Sequence, residues 1–210
     1  MIDARVLQDK LQGLVERSWQ IPEIRARCEA LTVGGIPKKK PDRNFILANK
    51  DGIMNLVQQR AEEYNFVAGN CARSTALAVM EEFGLGNMQI IRALSPFPGF
   101  AGTGWMCGGV SGGLIAIGLY LGSDDMQDHA AVAATMKAGR QFMARFEEEM
   151  GAVTCRRIQE DVVFGCFMDP GASAENMDAF ARAHGFEKCS LLAGIGARIA
   201  AGIIIENMEA

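Results

Sequence analysis

The chain has 210 residues, of which 49% are apolar and 22% are charged, and its formal net charge is −4. This length suits one domain, or one domain with an extension, and the apolar fraction excludes an intrinsically disordered chain. Because an acidic chain lacks the basic face that nucleic-acid binding requires, we expect no nucleic-acid partner. Only two histidines, His129 and His184, are available for a histidine-based metal site or a catalytic triad.

The spacing of apolar residues predicts helices along most of the chain and offers little support for strands. We therefore expect an all-α fold, a compact multi-helix bundle with buried glycine- and alanine-rich helices. Two helices are predicted between residues 3 and 31, followed by a linker rich in glycine and proline. Residues 1–45 would form this N-terminal helical extension and linker, and residues 46–210 would form the main domain.

In the main domain, Asp51 and Asn70 are predicted N-caps of two successive helices, and Gly84 and Gly86 would end the second. A short helix then leads into the loop SPFPGFAGTGWM. Residues 153–167 fit either a short strand or a helical turn. The remaining predicted helices cover residues 107–122, about 125–150, 174–184, and 189 to about 208.

An uncharged stretch from Ala93 to Ser123 raises the question of a membrane span. Prolines and glycines interrupt its first half, and its helical part, Cys107 to Gly122, is shorter than the roughly 20 residues that a bilayer requires. A buried core helix is the better interpretation, so we expect no membrane partner. The N-terminus has no apolar segment typical of a signal peptide, which predicts a cytoplasmic protein.

Six cysteines are the main functional signal, and none belongs to a CxxC or CxxCH motif, which excludes covalently bound haem c. Cytoplasmic cysteines more often serve metal binding or redox chemistry than structural disulfides. Cys71, Cys107 and Cys189 lie at predicted helix N-termini, where the helix dipole and free N–H groups favour a thiolate. Cys28 and Cys166 lie in apolar surroundings that are typical of packing.

Four segments carry a family resemblance: GNCARSTALAVMEEFG, MCGGVSGGLIAIGLYLG, FEEEMGAVTCRRI and KCSLLAGIGARIAAGII. Together they resemble the C_GCAxxG_C_C family of redox-active proteins, which has four cysteines and a CGAxxG motif and is related to the non-haem domain of split-Soret cytochromes. The resemblance covers roughly residues 55–207. Gly109 stands where that motif has alanine. The four family cysteines would be Cys71, Cys107, Cys155 and Cys189, with Cys166 competing for the last role.

The resemblance implies an iron–sulfur cluster, either [2Fe–2S] or [4Fe–4S], held by these cysteines, with electron transfer or electron supply to a partner enzyme as the function. Gly108 and Gly112 would allow close approach of the cofactor or of another backbone. Phe100 or Trp105 would shield the cluster. A redox partner protein and a homodimer are expected, the latter from the small-residue helix faces.

Three alternatives stay open at this point. The same cysteines could form a metal-free thiol–disulfide sensor or oxidoreductase. They could hold a structural zinc ion, although zinc sites usually use paired CxxC motifs. An enzyme could also use a cluster directly on a substrate.

Overall fold

The computed structural model describes residues 4–38 and 42–209, and these residues are all-α, as predicted. They form eleven α-helices and one π-helix, and their only strand-like pairing is a single bridge between Met106 and Thr154. The helices are α1 (Ala4–Val15), α2 (Ile21–Gly34), α3 (Arg43–Ala48), α4 (Lys50–Ala68), α5 (Cys71–Phe83), α6 (Met88–Ala93), α7 (Gly108–Leu121), α8 (His129–Met150), α9 (Cys155–Ile158), the π-helix (Gln159–Val163), α10 (Ala174–Arg182) and α11 (Gly185–Glu209).

Local sequence signals explain most of these boundaries. The side chain of Asn70 accepts a hydrogen bond from the backbone N–H of Arg73 and so caps α5, which ends at Gly84 in the left-handed conformation (φ 66°). Pro22 lies in the first turn of α2, where its missing N–H costs nothing. The predicted strand or turn at residues 153–167 is helical at its start, with α9 leading directly into the π-helix.

Three predicted boundaries were wrong. Asp51 lies in the first turn of α4 rather than at its N-cap, which is Asn49. The unpredicted helix α3 occupies part of the expected linker because the side chain of Asp42 accepts hydrogen bonds from the backbone N–H groups of Asn44 and Phe45. Helix α11 begins at Gly185, so Cys189 lies beyond its first turn rather than at its N-terminus.

Helix α11 is the centre of the bundle and packs against α4, α7, α5, α1 and α8. Small residues allow the backbones of α7 and α11 to come into direct contact. A Cβ atom built on Gly109 would lie 2.3 Å from the carbonyl oxygen of Leu192, and one on Gly196 would lie 2.4 Å from the carbonyl oxygen of Gly109. Gly109 and Gly196 therefore serve packing between two helices of one chain.

The N-terminal helices lie on this bundle. Leu7, Leu11 and Leu14 form the buried face of α1, which packs against α11. The guanidinium of Arg17 donates to the carboxylates of Glu62 and Glu63 on α4, at 2.9 and 3.0 Å. The apolar residues of α1 and α2 thus belong to the same core as the rest of the chain.

One described helix is long and apolar enough to cross a membrane. It is Gly185–Met208, and 83% of its most apolar window is buried inside the bundle. The uncharged helix α7 is shorter than this and is buried along most of its length, as predicted. Both segments therefore have the burial expected of core helices.

Candidate functional site

Three of the predicted site cysteines line one cavity at the end of the bundle. The cavity has a volume of about 440 Å³, and Cys71, Cys155 and Cys189 contribute to its wall. They come from α5, α9 and α11, so no short sequence segment contains the site. Cys107, at the N-cap of α7, is 2% exposed, and its thiol hydrogen-bonds to the Cys71 sulfur.

Two helix N-termini meet at the Cys71 sulfur. It accepts hydrogen bonds from the Cys107 thiol and from the backbone N–H groups of Cys71, Ala72 and Gly108. A Cβ atom on Gly108 would lie 2.2 Å from this sulfur, so glycine is the residue that lets α7 approach so closely. These donors, led by the Cys107 thiol, lower the pKa of Cys71 despite its burial.

The pKa values of the other three site cysteines are raised rather than lowered. Hydrogen bonding to Cys71, together with burial, raises the pKa of Cys107 well above its usual value. Burial and the negative charge of Cys71 raise the pKa of Cys155 to about 12. Burial, followed by the charges of Cys71 and Cys155, raises the pKa of Cys189 well above its usual value. One thiolate therefore forms easily here, and each further thiolate requires a positive charge nearby.

The sulfur of Cys155 has a side-chain donor that the sequence reasoning missed. The Gln159 amide Nε2 lies 3.4 Å from this sulfur, and Gln159 is 5% exposed. Gln159 is the first residue of the π-helix and lies four residues after Cys155. The i,i+4 spacing would have indicated this contact if the segment had been predicted to be helical.

A left-handed turn in the loop between α6 and α7 forms one wall of the cavity. Gly99, Phe100, Ala101 and Gly102 all have φ between 50° and 76°, a conformation that costs about 1–3 kcal/mol for each non-glycine residue. Backbone hydrogen bonds hold the turn, among them one of 2.7 Å from the Ala101 N–H to the Pro96 carbonyl. The loop continues to Trp105, whose carbonyl accepts the Cys155 N–H at 2.6 Å.

Aromatic side chains from the later part of the chain cover the cavity. Phe167, Phe180 and Phe186 line it, whereas Phe100 and Trp105 do not and are 46% and 70% exposed. The expectation that Phe100 or Trp105 shields the site was therefore wrong. The left-handed turn points Phe100 outward, and it presents backbone and small side chains to the cavity instead.

The remaining predicted site residues differ in position. Gly108 contacts the Cys71 sulfur, as described above, whereas Gly112 packs on α5, with its Cβ position 2.4 Å from the carbonyl oxygen of Ala72. Cys166 is exposed and does not line the cavity, and Cys28 lies on α2. Cys189 is thus the fourth cysteine that the fold brings to the site, although its role as a ligand stays a prediction.

The cysteines at the cavity are thiolate donors, the ligand type of iron–sulfur clusters and of thiol-based redox centres. Within residues 4–38 and 42–209, no group of three or more His, Cys, Asp or Glu side chains is placed to hold one metal ion. A single zinc ion gathers all its ligands around one point, whereas the cysteines of an iron–sulfur cluster bind different irons and lie further apart. Cys71, Cys155 and Cys189 line the cavity, Cys107 lies against Cys71, and N–H donors lie at the Cys71 and Cys155 sulfurs.

Comparison with known proteins gives one match. Searches of curated proteins and of solved structures found none. Residues 69–203, which include all the site cysteines and most of α11, match the family model described as "Putative redox-active protein (C_GCAxxG_C_C)". Three of the four family cysteines line one cavity and Cys107 contacts the Cys71 sulfur, and the chain belongs to the C_GCAxxG_C_C family of redox-active proteins.

Proposed function

We propose that the protein binds an iron–sulfur cluster through Cys71, Cys107, Cys155 and Cys189 and carries electrons between partner proteins. The observation that supports this most directly is the cavity of about 440 Å³, which three of these cysteines line while the fourth, Cys107, is buried against Cys71. A cluster held by these cysteines would supply one-electron chemistry, with a reduced partner as the electron donor and an oxidised partner as the acceptor.

The chain's own residues would stabilise the negative charge of such a centre. Backbone N–H groups of Cys71, Ala72 and Gly108 donate to the Cys71 sulfur. Phe167, Phe180 and Phe186 give the cavity an apolar aromatic wall. Hydrogen bonds to sulfur and burial are the two main means by which a protein sets a cluster potential.

The experiment is the iron and acid-labile sulfide content of protein purified without oxygen, together with its visible spectrum. We expect iron and sulfide in matching amounts and a brown chromophore that bleaches on reduction. Serine substitution of any of the four site cysteines should lower the iron content severalfold. The matched controls, Cys28→Ser and Cys166→Ser, should keep it, because neither side chain lines the cavity.

Two outcomes would contradict the proposal. If protein purified without oxygen contained no iron, the proposed iron–sulfur cluster would be excluded. If Cys166→Ser lost the cluster while Cys189→Ser kept it, the fourth ligand would be Cys166 and not Cys189.

A metal-free thiol–disulfide function is the second candidate, and the Cys71–Cys107 hydrogen bond favours it. The Cys71 thiolate would attack an external disulfide such as oxidised glutathione and release one glutathione thiolate. The Cys107 thiol, on losing its proton, would then attack the mixed disulfide and release the second glutathione. The chain would lose two hydrogens and gain one S–S bond. Iron-free protein that forms this bond would support the second candidate over the first.

A redox partner protein, a homodimer and a cytoplasmic location belong to the same proposal. The small-residue faces that suggested a dimer pack within the chain, as at Gly109 and Gly196, so they no longer argue for it. Light scattering on the anaerobic protein tests the oligomeric state separately from the cluster.

A further inference from the structure

The side chain of Gln159 connects a site cysteine to the loop that covers the cavity. Its amide Nε2 lies 3.4 Å from the Cys155 sulfur, and its Oε1 accepts the backbone N–H of Met168 at 2.7 Å. Its own backbone carbonyl accepts the N–H groups of Phe164 and Gly165, at 2.8 and 3.2 Å. The residue is therefore fixed at both its backbone and its side-chain ends.

The orientation of the amide follows from its partners. A backbone N–H can only donate, so the atom that faces Met168 must be the oxygen of the Gln159 amide. The NH₂ group is then directed at Cys155. A flipped amide would place two donors against each other and would also leave the sulfur facing an oxygen lone pair.

We propose that Gln159 is a positioning residue that tunes the reduction potential of the centre by donating a hydrogen bond to the Cys155 sulfur. This inference rests on the proposed cluster function. Reduction adds one electron to the centre and increases the negative charge on its sulfurs, so a donated hydrogen bond favours the reduced state. The start of the π-helix supplies the donor, and π-helical turns are frequent at functional sites.

The test compares two glutamines that both donate from their amides near the π-helix. Gln159→Met replaces the glutamine with a side chain of similar length that has no hydrogen-bond donor for the Cys155 sulfur. Gln8→Met removes a donor of 2.9 Å to the carbonyl of Val162 in the same π-helix, without contact to a site cysteine. Both variants are purified without oxygen and assayed for iron and melting temperature, and their potentials are then measured against redox dyes that supply the electron.

We expect Gln159→Met to shift the potential to a more negative value and Gln8→Met to leave it unchanged. The expected size is about a tenfold fall in the equilibrium constant for reduction, which is about 59 mV for a one-electron couple. Equal potentials in wild type and Gln159→Met, at equal iron content, would overturn the proposal.

A second variant keeps the test usable if Gln159→Met does not fold. Gln159→Glu preserves the oxygen acceptor for the Met168 N–H but directs an oxygen at the sulfur, so it should shift the potential in the same direction. If the wild-type protein contains no iron, the proposed cluster fails independently, and the readout becomes alkylation of Cys155 by iodoacetamide. Gln159→Met should then slow that alkylation severalfold, and an unchanged rate would overturn the role of Gln159.

Discussion

Four hydrogen-bond donors converge on the Cys71 sulfur and favour its thiolate form. The donors are the Cys107 thiol and three backbone N–H groups at the starts of α5 and α7. Helix N-termini favour negative charge, and two of them meet here. The surrounding burial keeps the neighbouring thiols protonated, so the site distinguishes one sulfur from the other three.

This difference predicts a pH dependence in iron-free, reduced protein. Alkylation proceeds through the thiolate, so the rate at Cys71 should rise at a lower pH than that of an ordinary thiol, because its pKa is lowered by the donors around it. Cys155 should respond only near pH 12, because burial and the charge of Cys71 raise its pKa to about 12. Mass spectrometry of each cysteine after timed alkylation measures both midpoints.

The Cys107→Ala variant is the control for this prediction. It removes the thiol donor that contributes most to the low pKa of Cys71, so the Cys71 midpoint should move upward. Equal midpoints for all four cysteines would contradict the assigned hydrogen bonds.

At the scale of helices, the contact between α7 and α11 depends on the absence of side chains. Gly109 stands where the family motif has alanine. In the structure, a methyl group at this position would collide with the backbone carbonyl of Leu192. Backbone atoms of a buried helix cannot move locally, so the cost would fall on the whole α7–α11 interface.

We therefore expect Gly109→Ala to lower the free energy of unfolding by about 1–3 kcal/mol, as overpacking of a core does. The matched control is Gly118→Ala in the same helix, where an added Cβ meets nothing within 4 Å. That control should gain up to about 1 kcal/mol from helix propensity. Urea unfolding of both variants measures the difference, and an equal or higher stability of Gly109→Ala would refute the close contact.

For the molecule as a whole, the N-terminal segment completes the core. The buried leucines of α1 cover α11, and Arg17 ties the end of α1 to two glutamates of α4. The family match begins only at residue 69, yet α1 packs against α11, most of which the match includes. The predicted domain boundary at residue 45 stays a prediction. Helices before and after that residue pack into the same hydrophobic core.

This packing predicts that a change in α1 destabilises the site as well. Leu11 is 2% exposed, so Leu11→Ala should lower the free energy of unfolding by about 2–5 kcal/mol. Val6→Ala, at a position that is 46% exposed on the same helix, should have a much smaller effect. Helical circular dichroism and Cys71 alkylation, followed in one urea titration, should show a single transition. Loss of α1 alone in an earlier step would show that the segment is independent.

Much of this protein can be predicted from its sequence because the signals are local. Apolar spacing predicts the helices, Asn70 and Gly84 mark the ends of α5, and the segments around the cysteines carry the family resemblance. Even Cys71 and Cys107 at helix starts follow from the residues beside them. These features depend on interactions between residues only a few positions apart in the chain.

The site itself depends on contacts between distant segments, and only the tertiary structure decides those. Cys155 reaches the cavity because backbone hydrogen bonds hold the start of α9 to Gly104 and Trp105, and Cys189 reaches it because α11 packs against α5 and α7. No spacing rule gives that arrangement. The outward position of Phe100 follows from a left-handed turn, and the role of Gln159 follows from a π-helix. In this protein the sequence determined the helices and the cysteines, while the packing of those helices decided which sulfurs meet and which groups surround them.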